Sequence, residues 1–416
     1  DAVDANADTL IKITKDLVAF PSIQTQEKFA QAYYAELLRK IDIIPDVWEP
    51  EIDKLDDAKD FYQSRPDYSG SPNVVGVFKG SGGGRSIILN GHIDVVPAES
   101  GKWSVSPQSG FEKCGRIYGR GAADMKGGLA VSYIAVKSLI DAGIKLKGDV
   151  LLESVVDEET GGGGTLATII KGYIADAAIF TEPTNLMIYP ATMGSAWFKI
   201  NVKGRGAHGA IAYQGVNAIE KSYLIYKALK QLESRRAVKK AHPLYTYMKK
   251  PFCINVGKFF SGYWPSIVPD EAIMEGRLGV SPNETLAEAR QEFEEAIYNA
   301  ARKDNWLRNH IPEVEWFGPS WEGSAVDIDS SLVQLLKMQG EKTLNQEVQT
   351  IGAPWPADAT FMNMYGIPAI NFGPGETEQA HQVDESVSID HLIKCAKIIA
   401  CTIVSWCGKS EFLYHS

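Results

Sequence analysis

Four apolar runs in the first half of the chain constrain its fold most. "NVVGVF", "SIILNGHIDVV", "DVLLESVV" and "DAAIFT" each read as a strand, and the helix-like segment Lys126 to Ala142 lies among them. Strands alternating with helices predict an α/β sheet with parallel elements. Helical spacing also marks Thr9 to Phe20, which Pro21 stops, and about Gln26 to Ile41. Between these and the first strand, Pro45 to Asn73 is polar, acidic and rich in turn formers, and reads as a long surface excursion.

The pattern changes near Met187. "SAWFKINVKGRGAHG" alternates like a half-exposed strand. A helix from about Gly215 to Glu233 follows, then the strands "PFCINVGKFF" and "SIVPDEAIMEGRLGV", then a helix from Leu286 to Arg302. This is an antiparallel α+β block inserted before helices and the strand "PAINFG" resume, ending in a helix around Ile389 to Cys407. The expected division is 1–190 and 306–416 for the interrupted α/β domain, and 191–305 for the insertion.

At 416 residues the chain is comfortable for two such domains. A formal charge of −10 argues against a nucleic-acid footprint, which needs a basic face. No apolar run is long enough for a membrane span, so no membrane partner is expected. The five cysteines are scattered and include no CxxC, which excludes a disulfide framework and a thiolate zinc site and points to the cytoplasm. The N-terminus shows neither the basic nor the apolar region of an intact secretory signal.

Residues able to carry chemistry gather at strand ends. "ILNGHIDVVP" places His92 and Asp94 on one face of a strand, where Asp94 can orient a metal-binding imidazole. Asp124 sits between glycines in "GRGAADMKGG"; it could equally be a helix N-cap. "VVDEET" adds Asp157, Glu158 and Glu159, "FTEPTN" adds Glu182, and "GETEQAHQVDES" adds His381. In open α/β sheets, ligands collect at such strand ends. Two His plus three carboxylates suit a pair of zinc-like divalent ions bridged by one carboxylate, and one further carboxylate is needed to shuttle a proton.

The ordered motifs "GHIDVVP", "GRGAADMKGG", "DEETGG", "TEPT" and "AHQVDE" resemble those of the dinuclear zinc peptidases and deacylases. That family includes acetylornithine deacetylase, succinyl-diaminopimelate desuccinylase, aminoacylase and bacterial glutamate carboxypeptidase. The resemblance covers essentially the whole chain. It implies a zinc-aminopeptidase-like catalytic domain with an inserted α+β lid or dimerisation domain, and two divalent ions, Zn2+ first, with Co2+ or Mn2+ as alternatives. It implies His92 and Glu182 on one ion, Glu159 and His381 on the other, Asp124 bridging, and Glu158 as general base. It also implies a cis peptide bond after Asp124, and a role for His208 of "GRGAHGAIAYQGVNAI" in a neighbouring subunit's site, hence a homodimer. Asp157 receives no role.

The resemblance breaks at one place. Many relatives carry Asn two residues before "VP" and an Arg ten residues after that Pro, often gripping a substrate carboxylate. Here those positions are Ser266 and Gly279, and Arg277 either substitutes or is a plain strand residue. With Gly375, Ser266 and Arg277 are the candidate substrate contacts. Tyr263, Trp264 and Trp355 hint at an apolar or ring-bearing group. The expected activity is removal of a small acyl group from an N-acylated amino acid or amine. The alternatives are a dipeptidase or carboxypeptidase, a deformylase or deacylase of a carboxylate-free amine, and, in a different class, a non-catalytic binding protein.

Overall fold

The computed structural model describes residues 1–56, 58, 61–98 and 101–410. Two compact units emerge: Asp1–Pro190 with Ala325–Ala353 and Ala357–Ser416, and Ala191–Ser324 with Pro354–Pro356.

In the first unit the apolar runs form a mixed sheet. Ile87–His92 lies at its centre, parallel to Val150–Val155 on one side and Ala178–Phe180 on the other, and Ala369–Asn371 runs parallel beside the latter. All six residues of Ile87–His92 and of Val150–Val155 are buried. Such strands need cover on both faces. Gly127–Asp141 provides part of it and is itself buried along most of its length, and Ile389–Cys407 packs against it. Asn73–Phe78 joins antiparallel to Val150–Val155, which makes the sheet mixed.

The expected surface excursion is only partly that. Leu55, Arg65, Tyr68, Ser71 and Asn73 are buried. The reason is pairing: Arg65 gives its guanidinium to Glu27 at 3.0 Å and to Ser71 at 2.7 Å, which lets a charged, turn-rich stretch fold inward. Asp57, Lys59 and Asp60 of that stretch lie outside the described residues.

The second unit is an antiparallel sheet ordered Ile254–Ser261, Glu271–Val280, Gly194–Lys203 and Glu313–Trp321. One face buries Phe198, Ile200, Met274 and Leu278 with Ile225, Leu229, Phe293 and Ile297 of two helices, Ala218–Lys239 and Leu286–Ala301. Thr285 and Glu288 close a capping box at the start of the latter. The insertion therefore runs past the expected 305. Glu313–Trp321 is its edge strand, and its period-two signal is broken at Gly318-Pro319, where the register shifts between Phe317 and Ser320.

Candidate metal centre

The residues singled out at strand ends come together in the first unit. His92 closes Ile87–His92, Glu158 and Glu159 follow Val150–Val155, Glu182 follows Ala178–Phe180, and His381 follows Ala369–Asn371. These strands run parallel, so their carboxyl ends face one crevice. Asp124 enters from the short helical turn Ala122–Lys126, and the Asp124–Met125 peptide bond is cis.

Asp124 stands between the two imidazoles. Its Oδ1 is 3.1 Å from His92 Nε2 and its Oδ2 3.4 Å from His381 Nε2. His381 Nε2 lies 3.0 Å from Glu159 Oε2, while His92 Nε2 lies 3.9 Å from Glu158 Oε2 and 4.0 Å from Glu182 Oε1. One donor atom each from His92, Asp124 and Glu159 fall within 4.8 Å of one another.

Four carboxylates thus surround two imidazoles, and the titration of His92, His381, Glu158, Glu182 and Asp124 reflects it. Burial alone would lower His92, yet Asp124, Glu158, Glu182 and Asp94 hold it well above its ordinary value. Hydrogen bonds to Asp124 and Glu159 push His381 up to about 10. Burial pushes Glu158 and Glu182 well above the usual carboxylate range, with His92 opposing. Burial also acts to raise Asp124, but both imidazoles pull it below that range. The cluster holds protons where a cation would serve better.

Its donor set suits such a cation. Glu182 Oε1 is buried and has no hydrogen-bond partner, which is costly for a carboxylate unless something else meets it. Imidazole nitrogens and carboxylate oxygens in this number fit divalent ions of the zinc type.

Asp94 is expected to orient His92, and its carbonyl and carboxylate take different tasks. The main-chain carbonyl of Asp94 accepts from His92 Nδ1 at 2.8 Å, which puts the proton on Nδ1 and leaves Nε2 facing the centre. The carboxylate lies 3.7 Å from Nδ1 and accepts instead from the amides of Glu158 at 3.4 Å and Glu159 at 3.1 Å.

Two residues inside the quoted motifs were overlooked by sequence reasoning. Glu385 is fully buried and accepts from the amides of Ala123 at 3.0 Å and Asp124 at 3.1 Å. Arg120 pairs with Glu385 at 2.7 Å and donates to the carbonyls of His381 and Gln382. Both stand within four residues of a ligand candidate in the sequence, but only their burial marks them as supports.

The other candidates are elsewhere. His208, in the second unit, is exposed, and its Nδ1 accepts from the Ala210 amide at 3.1 Å, so the neutral ring carries its proton on Nε2. Ser266 is exposed, and its carbonyl accepts from the Gly209 amide. The Arg277 side chain has no ion pair or hydrogen bond among the described residues; it borders a cleft with Trp197, Asn255 and Phe317. Gly279 leaves no room for a larger residue, because a Cβ there would stand 2.6 Å from Phe252 Cα. Gly375, in the first unit, gives its carbonyl to the Asn185 amide.

The model of Peptidase family M20/M25/M40 matches residues 88–405. The chain is 32% identical to N-formyl-4-amino-5-aminomethyl-2-methylpyrimidine deformylase of Halalkalibacterium halodurans, with 97% of this chain and 96% of that protein covered. Among solved structures, a tripeptidase from Staphylococcus aureus superposes with a TM-score of 0.74 at 21% identity, covering 96% of this chain and 98% of that one. A dinuclear metal binding peptidase of Bacillus subtilis gives 0.67 at 17% identity, covering 97% and 99%. With its ordered motifs gathered at one crevice and the family model spanning most of its length, the chain belongs to peptidase family M20/M25/M40.

Proposed function

We propose that this family member is a two-metal amide hydrolase that removes a small acyl group, formyl first, from an amine without an α-carboxylate. The observation that carries the amide-hydrolase reading is the meeting of His92, His381, Asp124, Glu159 and Glu182 around one point, with Glu158 beside them. His92 and Glu182 would hold one divalent ion, Glu159 and His381 the other, and Asp124 both. We take these ions to be zinc. When bound, such ions polarise the scissile carbonyl and ease deprotonation of water.

Glu158 takes the proton from the attacking water and delivers it to the leaving nitrogen, which must depart as a neutral amine. Burial raises its proton affinity, and the positive charge of two ions beside it would lower that affinity to where the carboxylate is free to accept a proton. Asp124 stays in place through the Glu385 carboxylate, Glu158 and Glu159 through that of Asp94, and His92 through the Asp94 carbonyl.

The carboxylate-free substrate is supported by position 279. A guanidinium clamp cannot stand where the backbone at Phe252 closes the space. The deformylase relative's name adds the acyl group and a pyrimidine amine. His208 is read as a donor, through Nε2–H, to the developing oxyanion in the partner of a homodimer formed by the insertion. The exposed Tyr213, Tyr263 and Trp264 on the insertion support that association. Five free cysteines suit the cytoplasm, and no helix among the described residues is long and apolar enough to cross a membrane.

The test is formate release from N-formyl-4-amino-5-aminomethyl-2-methylpyrimidine, beside N-formyl and N-acetyl amino acids. Chelation should abolish turnover and added Zn2+ restore it. Glu158→Gln should lower kcat by about 10³-fold. Turnover that survives both stringent chelation and Glu158→Gln would refute the mechanism. Faster release from N-acyl amino acids than from the pyrimidine would refute the substrate class.

A further inference from the structure

Asp157 stands directly before the two glutamates, yet nothing above gives it a role. It is fully buried with φ of 72°. Its Oδ1 accepts from Ser64 Oγ at 2.7 Å, Thr160 Oγ1 at 2.5 Å and Gln24 Nε2 at 3.3 Å, and its Oδ2 from Tyr68 Oη at 2.8 Å. Its carbonyl accepts from the amides of Gly161 and Gly162. The Glu158-Glu159 dipeptide is therefore gripped twice: Asp94 holds its amides, and Asp157 fixes the residue just before it.

Ser64 and Tyr68 belong to the turn-rich stretch that reads as a surface excursion. They are locked in place by Arg65, which binds Glu27 and Ser71 and lies 4.8 Å over the Tyr68 ring. The stretch lies directly on the glycine tract. A Cβ at Gly163 would stand 1.9 Å from Tyr68 Oη, and one at Gly161 would stand 2.9 Å from the Tyr62 carbonyl. The absence of side chains there is what lets this strap reach Asp157. A helix N-terminus needs one side-chain acceptor, whereas this carboxylate is surrounded by donors from three separate parts of the chain. That expense of polar groups fits a loop whose position matters to a fraction of an ångström.

We propose that Asp157 is a positioning residue through which the strap 61–71 sets where Glu158 presents its carboxylate. Asp157 touches no substrate; it acts through the backbone it shares with Glu158. The inference rests on Glu158 being the proton carrier. It predicts that loosening the strap lowers the rate of the chemical step and leaves binding and metal content alone.

The experiment measures kcat, KM, bound metal and melting temperature for Tyr68→Phe, Ser64→Ala, Asp157→Asn and Asp157→Ala, with Glu158→Gln as control. Tyr68→Phe and Ser64→Ala should each lower kcat about tenfold, and Asp157→Ala about a hundredfold, with KM within about twofold and two ions retained. Asp157→Asn keeps an acceptor for Ser64 and Thr160 and should recover most of the loss seen with Ala. Tyr68→Phe should cost little more when added to Asp157→Ala, because both cut the same link. Unchanged kcat in the folded Tyr68→Phe/Ser64→Ala double variant would overturn the proposal. So would losses confined to KM, or a lower melting temperature with full kcat per folded molecule. Should Asp157→Ala not fold, the two strap variants decide. Activity retained in Glu158→Gln would instead overturn the functional reading, so the two failures are distinct.

Discussion

In the first unit Asp124, Glu158 and Glu159 each lean on another buried polar group, whereas the candidate residues of the second unit stand exposed or unpartnered. Asp124 is held through its amide by Glu385, Glu385 by Arg120, and Glu158 and Glu159 by Asp94. His208 pairs with Ile267 in a two-residue ladder at the surface beside Ser266, and the Arg277 side chain has no hydrogen bond or ion pair among the described residues. A centre crowded with like charges needs every ligand fixed beforehand, since mutual repulsion would otherwise spread them. Residues that serve a partner or a substrate gain by staying accessible.

Three substitutions test that contrast. The largest effect should come from Glu385→Ala, which leaves Arg120 buried without its counter-charge and frees the Asp124 turn. A loss of about 3–5 kcal/mol is expected by chemical denaturation, together with reduced metal content. A cost under about 1 kcal/mol would break the idea that the first unit is internally braced.

His208→Ala should leave the melting temperature in place and lower kcat by about 10²-fold or more, as removal of an oxyanion donor does. Mixing these chains with Glu158→Gln chains should restore turnover in heterodimers, one intact site each. No recovery under verified subunit exchange would remove His208 from the partner's site. The smallest effect is expected from Arg277→Ala, whose stability change should stay within about 0.5 kcal/mol. Turnover of a neutral N-formyl amine should be unchanged, and only carboxylate-bearing analogues should suffer. Equal losses on both would make Arg277 part of the general site.

Much of this was legible in the chain itself. His92, Asp124, Glu158, Glu159, Glu182 and His381 were each marked by strand-end position and neighbouring motif, and the structure draws them together because parallel strands open their carboxyl ends on one side. The supports were not legible. Glu385 and Arg120 look like ordinary polar loop residues until their burial is known. The stretch from Pro45 to Asn73 reads as solvated because charge and turn formers normally are, and its ion pairs are invisible without coordinates. The edge strand past residue 305 hid behind Gly318-Pro319.

The sequence by itself determined the α/β alternation, the insertion and the identity of the acidic and imidazole groups, because periodicity and motif order are local properties of the chain. The family resemblance gave Glu158 and Glu159 their parts and left Asp157 without one; only the tertiary structure decided what surrounds each of the three neighbours of "DEE". Asp157, Glu158 and Glu159 are alike in composition, and their differences arise from what reaches them across the fold: Tyr68 and Ser64 for Asp157, His92 for Glu158, His381 for Glu159. The same holds at Gly279, where the crossing backbone at Phe252, distant by 27 positions in the chain, closes the space a substrate clamp would need. Burial and long-range partners set the energy of a polar group, and neither is written in its neighbours along the sequence.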